Sequence, residues 1–501
     1  MNRMILQMIA VYIVILSFVV SAQDSVKTSF MFWSRLTMGQ VVSAPDKEDG
    51  AFDVHFKREW LETIDGGIKV TRKLTPSLTG RLNLGVVVNV ATVNPSQYPT
   101  NEHTAKKVTP ALLDACLEYR SGGFLLELGY FPFKYNPQST NLGEYLFRSG
   151  TYPGWLISGF EHSIDKPKLA GVHTSYSFGS LFRLKQDLIV NTEIEALPYR
   201  DINFTYIVSP SVDKIVDIGL GVELARLIVL DPKKTTIGLN PTYKRYEPKI
   251  GYFDTTTGET IKYTFKGTKL MGRASLDIKA LFGGGGDFFG REDLKIYGEM
   301  ALLGVKNYPG WYNDPIERMP KMLGINWFTN QFLSYCVLPG VMAYGLESVE
   351  SKKLNKAITI GTPGVIIGVG SWFLDRLFNI NSKLDIISIE IEHYPSPYVN
   401  AQDNIWKGSS AVPYIAGRPA SAIMDYRNWN ESMAVHDDDI RWSVYAAKNI
   451  GNHVRLSAQA ACDHTPKNWY TPWPAPQSAK YSDILSKTSD WYFMMRMSLF
   501  F

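Results

Sequence analysis

The sequence predicts an all-β fold, an antiparallel transmembrane β-barrel of about sixteen strands. Three observations predict it. Apolar and polar residues alternate along many separate segments. The connections between those segments alternate between short and long. The last segment, Trp491 to Phe501, is apolar at every second position.

In that last segment Trp491, Phe493, Met495, Met497, Leu499 and Phe501 share one face, since successive strand residues point to opposite sides. The other face carries Arg496 and Ser498 among Tyr492, Met494 and Phe500. Taken in isolation, the segment reads almost as well as a buried helix. The hairpin from Ile440 to His464 is clearer. Ile440, Trp442, Val444 and Ala446 oppose Arg441, Ser443, Tyr445 and Ala447. After a turn at 451–453, Val454, Leu456, Ala458, Ala460 and Cys462 oppose Arg455, Ser457, Gln459, Ala461 and Asp463. The same unit recurs at Leu82–Val90, Phe124–Tyr130, Val216–Leu224, Ala274–Ala280 and Ile387–Ile391.

The alternation places strands at 29–42, 66–74, 78–93, 110–120, 124–135, 168–179, 186–195, 202–209, 215–230, 268–281, 294–308, 318–328, 384–394, 440–450, 454–464 and 489–501. An even number returns both ends of the barrel chain to one side. The connections on that side are short (75–77, 121–123, 210–214, 451–453). The opposite ones are long (136–167, 231–267, 395–439, 465–488). A spanning sheet must satisfy its backbone internally, which requires closure, and closure also removes the sheet edges. Residues 329–383 break the rule: a connection expected to be short runs through two apolar stretches interrupted by Pro339 and Pro363. Either they add a strand pair, making about eighteen strands, or they plug the barrel mouth as helices too short to span.

Arg3 followed by the apolar run Met4–Val20 and the small residues Ser21 and Ala22 reads as a secretory leader over 1–22, leaving 23–501 as the barrel. The chain has 52 basic and 48 acidic residues, a balance that argues against a nucleic-acid partner. Three cysteines, Cys116, Cys336 and Cys462, form neither a disulfide framework nor a zinc motif, and Cys462 reads as a small outward surface residue. Gly283–Gly286 is a turn without the Lys and Ser/Thr of a phosphate loop. His436–Asp439 reads as a solvated loop rather than a Ca²⁺ site. The pair Asp463-His464 has no nucleophile set around it. No metal, cofactor or enzymatic activity is expected.

With its terminal aromatic and the alternation before it, the last strand resembles the C-terminal signature of Gram-negative outer-membrane β-barrels, and the tally as a whole resembles the sixteen-stranded porins. That resemblance implies an outer-membrane location, contact with outer-membrane lipid, insertion by the barrel-assembly machinery through the C-terminal strand, and a homotrimer. It also implies that the third outer loop, 136–167, folds into the lumen. Glu144 and Arg148 are then the constriction candidates, since four-residue spacing places them on one side of a short helix.

Alternation assigns lumen-facing charges to Arg81, Glu127, Arg273, Asp277, Lys279, Lys295, Glu299, Glu390, Glu392, Arg441, Arg455 and Arg496. Charges of both signs across a pore set its selectivity. Trp406, Trp429, Trp469 and Trp473 in the late outer loops are candidates for stacking on a glycan or a partner protein, or for the interfacial girdle. The expected function is a porin-like channel for passive passage of small polar solutes. The alternative is a plugged barrel that binds a glycan or protein at its surface.

Overall fold

The computed structural model describes 28–44, 46–49, 52–55, 57, 60–89, 107–149, 156, 168–192, 202–213, 215–228, 250–254, 259–263, 267–281, 289–305, 314–330, 383–396, 439–464, 485 and 487–501, with helical positions between 352 and 377. The expected leader (1–22), Gly283–Gly286, His436 and the aromatic candidates Trp406, Trp429, Trp469 and Trp473 lie outside these residues.

Sixteen strands close into one antiparallel barrel in which each pairs with its sequence neighbours. They are β1 (Thr28–Ser43), β2 (Trp60–Lys73), β3 (Leu78–Asn89), β4 (Lys107–Ser121), β5 (Phe124–Pro132), β6 (Lys168–Phe178), β7 (Phe182–Thr192), β8 (Ile202–Val212), β9 (Val216–Ile228), β10 (Gly267–Asp277), β11 (Lys295–Leu302), β12 (Lys321–Asn326), β13 (Ile386–His393), β14 (Ile440–Ile450), β15 (Val454–Cys462) and β16 (Trp491–Phe500). Closure is made by β1 against β16, in register from Trp33 opposite Phe500 to Val41 opposite Tyr492. Phe32 and Phe501 then exchange backbone hydrogen bonds of 2.9 and 2.8 Å.

The strands carry their polar residues inward and their apolar residues outward. Along β16, Met495 and Met497 are exposed on the barrel exterior, while Arg496 and Ser498 are buried inside. Arg496 donates through Nε to the Thr37 hydroxyl of β1 at 3.0 Å. Elsewhere on the exterior Phe32, Leu36, Leu128, Leu220, Leu323 and Ile391 are exposed. An apolar band around a closed, polar-lined barrel is the arrangement of a membrane-spanning barrel, with hydrocarbon replacing the missing apolar partner.

Three differences from the sequence expectation have local causes. First, β2 begins at Trp60 rather than at residue 66, and runs straight through Gly66-Gly67. Those glycines do not break the strand. The indole of Trp33 lies against the inner wall there, and a Cβ at Gly67 would strike the Trp33 ring and the Leu84 carbonyl. Second, the segment after Asp277 is not strand. Ile278–Leu281 forms one helical turn, capped where the Ala280 amide donates to Asp277 at 3.2 Å. Third, β12 pairs directly with β13, from Lys321 opposite His393 to Asn326 opposite Ser388, so 329–383 adds no strand to the barrel and the count is sixteen. The described positions of this insert between 352 and 377 are helical. Two further hairpins, Asp46–Asp49 with Phe52–His55 and Ile250–Asp254 with Glu259–Tyr263, form small sheets of their own in the first and fifth long connections.

Cys462 also departs from expectation. It is fully buried, because Leu485 and residues 487–490 pack over the end of β15, and its thiol donates to the Lys487 carbonyl at 3.2 Å.

Candidate functional site

The lumen is divided by the third long connection. Its described part, 133–149, enters the barrel and docks on the inner wall of β9 to β13. No regular structure satisfies its backbone, and buried amides need partners. Side chains supply them. Glu144 turns back on its own loop and accepts from the amides of Tyr135, at 3.0 Å, and Asn136. Gly143 and Glu144, both at positive φ, make the reversal that permits this.

The knot so formed is held by wall carboxylates. Glu299 of β11 accepts from the amides of Glu144 at 2.9 Å and Tyr145 at 2.7 Å, and from the Asn136 side chain at 3.0 Å. Glu390 of β13 accepts from the amides of Thr140, Asn141 (2.9 Å) and Leu142 (2.8 Å), and from the Tyr297 hydroxyl at 2.9 Å. Glu392 accepts from the Tyr145 hydroxyl at 2.8 Å and lies 2.7 Å from His464. Burial, with Glu392 beside it, holds the Tyr145 phenol well above its ordinary pKa, so it stays a donor. Asp463 accepts from the Asn141 side chain at 2.7 Å and from the Tyr492 hydroxyl at 2.6 Å. Asp463 and His464 are thereby occupied in structural bonds. Hydrogen bonds to charged groups contribute about 1.5–3 kcal/mol each.

A single cation closes the other end. After the one-turn helix α1 (Tyr145–Arg148), the Nζ of Lys269 donates to the carbonyls of Tyr145 at 2.6 Å, Leu146, and Ser149 at 2.9 Å, and pairs with Glu223 at 3.1 Å. Positive charge at helix C-terminal carbonyls is favourable. Beneath the loop lies an apolar core inside the barrel, including Phe131, Leu142, Leu146, Ile189, Ile207 and Met271.

The opposite wall is a continuous ion ladder across β3 to β7. Arg81 meets Asp114 at 3.2 Å, Glu118, and Glu127 at 2.7 Å. Glu127 lies 2.8 Å from His173, which lies 2.9 Å from Asp187, and Lys185 completes the row at 2.9 Å. Asp114 and Cys116 lie opposite Asn83 and Arg81 on the inner face of β4, and the register shifts by one residue just beyond them, at Leu113. On β1, Arg35 pairs with Asp65 and lies 4.6 Å over the Trp33 ring.

Of the residues expected to face the lumen, Arg81, Glu127, Arg273, Asp277, Lys295, Glu299, Glu390, Glu392, Arg441, Arg455 and Arg496 occupy inward positions of their strands. Arg273 pairs with Asp217 at 2.9 Å, Arg441 donates to the Leu485 carbonyl at 3.0 Å, and Arg455 donates to the Tyr445 hydroxyl at 3.0 Å. Asp277 and Lys295 serve the adjoining turn, Lys295 pairing with Glu292 at 2.6 Å.

Lys279 is a correction. It lies in the helical turn beyond β10, where its Nζ donates to the carbonyls of Gly290 and Arg291, so it belongs to the turn and not to the wall. Glu144 is a second. It is fully buried in the loop knot, and its left-handed backbone at the N-cap of α1 removes the helical spacing that was to place it beside Arg148. The side chain of Arg148 lies outside the described residues.

The sequence reading did not single out Lys269, Glu223, His173 or Asp187. Alternation carried two steps back from Arg273 reaches Met271 and then Lys269, which was the available signal.

The fold and its lumen define a class: a sixteen-stranded, porin-like transmembrane β-barrel with an infolded third loop. No family model and no curated protein matches the chain. Among solved structures it is similar to a mutant porin of Rh. blastica, at 8% identity over 95% of this chain and 100% of that one, with a TM-score of 0.39. Pseudomonas putida OprB is similar at 8% identity over 95% of this chain and 94% of that one, with a TM-score of 0.44. The assignment to the class rests on the strand pairing and closure described above.

Proposed function

We propose that this protein is an outer-membrane channel through which small polar solutes pass passively. One observation carries the reading: the described part of the third loop, 133–149, is fastened to the wall of β9 to β13 and leaves Arg81 of β3 partly exposed. The carboxylates beneath it, Glu390 and Glu392, are sealed, whereas Arg81 on the facing wall keeps 20% of its side chain exposed. The water path in this reading runs between the loop and the wall of β1 to β5. Arg81, Arg35 and their carboxylate partners line it with fixed charge of both signs.

The reading also takes the leader at 1–22 and the apolar outer face of β16 as the features that send the chain to the outer membrane and present it to the barrel-assembly machinery. It takes a homotrimer as the assembled state. No catalytic step belongs to it.

Purified protein in planar bilayers is expected to give stepwise single-channel conductance. Barrels that insert and stay folded without conducting would overturn the channel while leaving the fold intact.

A further inference from the structure

Away from the barrel wall, the largest group of exposed apolar side chains among the described residues belongs to the insert 329–383. Leu354, Ile358, Ile366, Val369, Phe373 and Leu377 are all in helical conformation and are 52–69% exposed. A soluble surface rarely carries so many large apolar residues within some two dozen positions. The insert leaves the barrel between β12 and β13, where the Trp327 amide donates to the Ile387 carbonyl at 2.7 Å, on the side of the short turns. At this root Phe289 stacks on Phe328 with ring centroids 5.9 Å apart, and Trp327 meets Phe328 edge-on at 5.6 Å. Aromatic clusters of this kind mark the level where hydrocarbon gives way to headgroups.

We infer that the helical part of this insert is an interfacial anchor, lying with its apolar side chains in the leaflet on the short-turn side of the barrel. This inference rests on the membrane reading of the barrel. Charge supports a lipid partner over a protein one: residues 352–383 contain Lys352, Lys353, Lys356, Arg376 and Lys383 against the single acidic Asp375. A basic, apolar helix is suited to anionic phospholipid headgroups, with its apolar side chains sinking about 5–10 Å below them. The apolar run 364–374 ends at Asp375-Arg376 and is shorter than the about 20 residues needed to span, so the segment is placed on the leaflet rather than across it.

Site-directed spin labelling of the full chain tests this. With Cys116, Cys336 and Cys462 replaced by Ser, nitroxides are placed separately at Ile366→Cys and Phe373→Cys, with Leu323→Cys on the outer face of β12 as the reference. The protein is reconstituted in vesicles containing phosphatidylglycerol, and folding is verified by resistance of the barrel to cold detergent. The expected result is that oxygen reaches the labels at 366 and 373 several-fold more readily than a water-soluble nickel complex does, as at 323. Labels at 366 and 373 that collide freely with nickel, while 323 remains lipid-exposed, would overturn the anchor alone. Spin–spin broadening at 366 or 373 that disappears on dilution with unlabelled protein would also overturn it, since a second copy would then be the occupant. Nickel access at 323 would overturn the membrane reading itself. If either insert variant fails to fold, Leu354→Cys replaces it.

Discussion

Lys269 of β10 grips the end of the third loop, with its Nζ 2.6 Å from the Tyr145 carbonyl and 3.1 Å from the Glu223 carboxylate. One ammonium group thus joins a loop that begins after β5 to strands four and five places further round the barrel. Three loop carbonyls and one wall carboxylate depend on it.

Replacing Lys269→Met keeps the length of the side chain and removes its charge. Breaking one partner of a buried ion pair costs about 3–5 kcal/mol, because the other charge is left uncompensated. The variant is expected to unfold at lower urea in lipid vesicles. Its single-channel currents should show frequent transitions between levels, as the loop leaves the wall. Currents as quiet as those of the parent would mean that the loop is held elsewhere.

Glu390→Gln tests the other fastening. The carboxylate accepts from three consecutive loop amides, and an amide in its place turns an NH₂ group toward backbone donors. A loss of about 2–3 kcal/mol in loop docking follows from bonds of this type. Hydrogen exchange at residues 140–142 should accelerate by about 30-fold or more, while exchange in β14 and β15 stays unchanged. Equal acceleration across the barrel would show that Glu390 supports the whole sheet and not the loop.

Arg81→Gln removes the cation shared by three carboxylates of the β3 to β7 ladder and leaves Asp114, Glu118 and Glu127 in excess. Under a KCl gradient the reversal potential is expected to move toward cation preference. An unmoved potential would place the water path away from this wall.

Leu220 is 61% exposed on the outer face of β9. Leu220→Arg on a lipid-facing strand costs about 2–4 kcal/mol near the bilayer midplane. The unfolding free energy in vesicles should fall by that amount. A neutral substitution there would be inconsistent with hydrocarbon at this face.

Much of the barrel was legible along the chain. Each expected strand has its counterpart, because the period-two pattern is local: Leu220 outward and Glu223 inward follow from one short stretch of β9. Inward charge was legible for the same reason, and it failed at Lys279, where the strand had already ended. Helical turns and strand ends are decided by neighbours, here the carbonyls of Gly290 and Arg291 and the cap from Asp277. The start of β2 was missed by six residues, at Trp60 rather than residue 66, and Gly66-Gly67 lie inside that strand where the Trp33 ring crosses them.

The sequence by itself determined which face of each strand is apolar and the side on which the long connections lie, because both follow from alternation and spacing between near neighbours. The strand count, sixteen or eighteen by sequence, was decided by the pairing of β12 with β13. Only the tertiary structure decided what the inward charges do. Glu390 lies 249 residues from the Asn141 amide it receives, and closure of the ring alone brings them together. A buried loop without strand or helix needs acceptors wherever closure delivers them. Glu299, Glu390 and Lys269 therefore became the supports of the third loop, while Arg81, also an inward charge by alternation, pairs with Asp114, Glu118 and Glu127 and stays partly exposed.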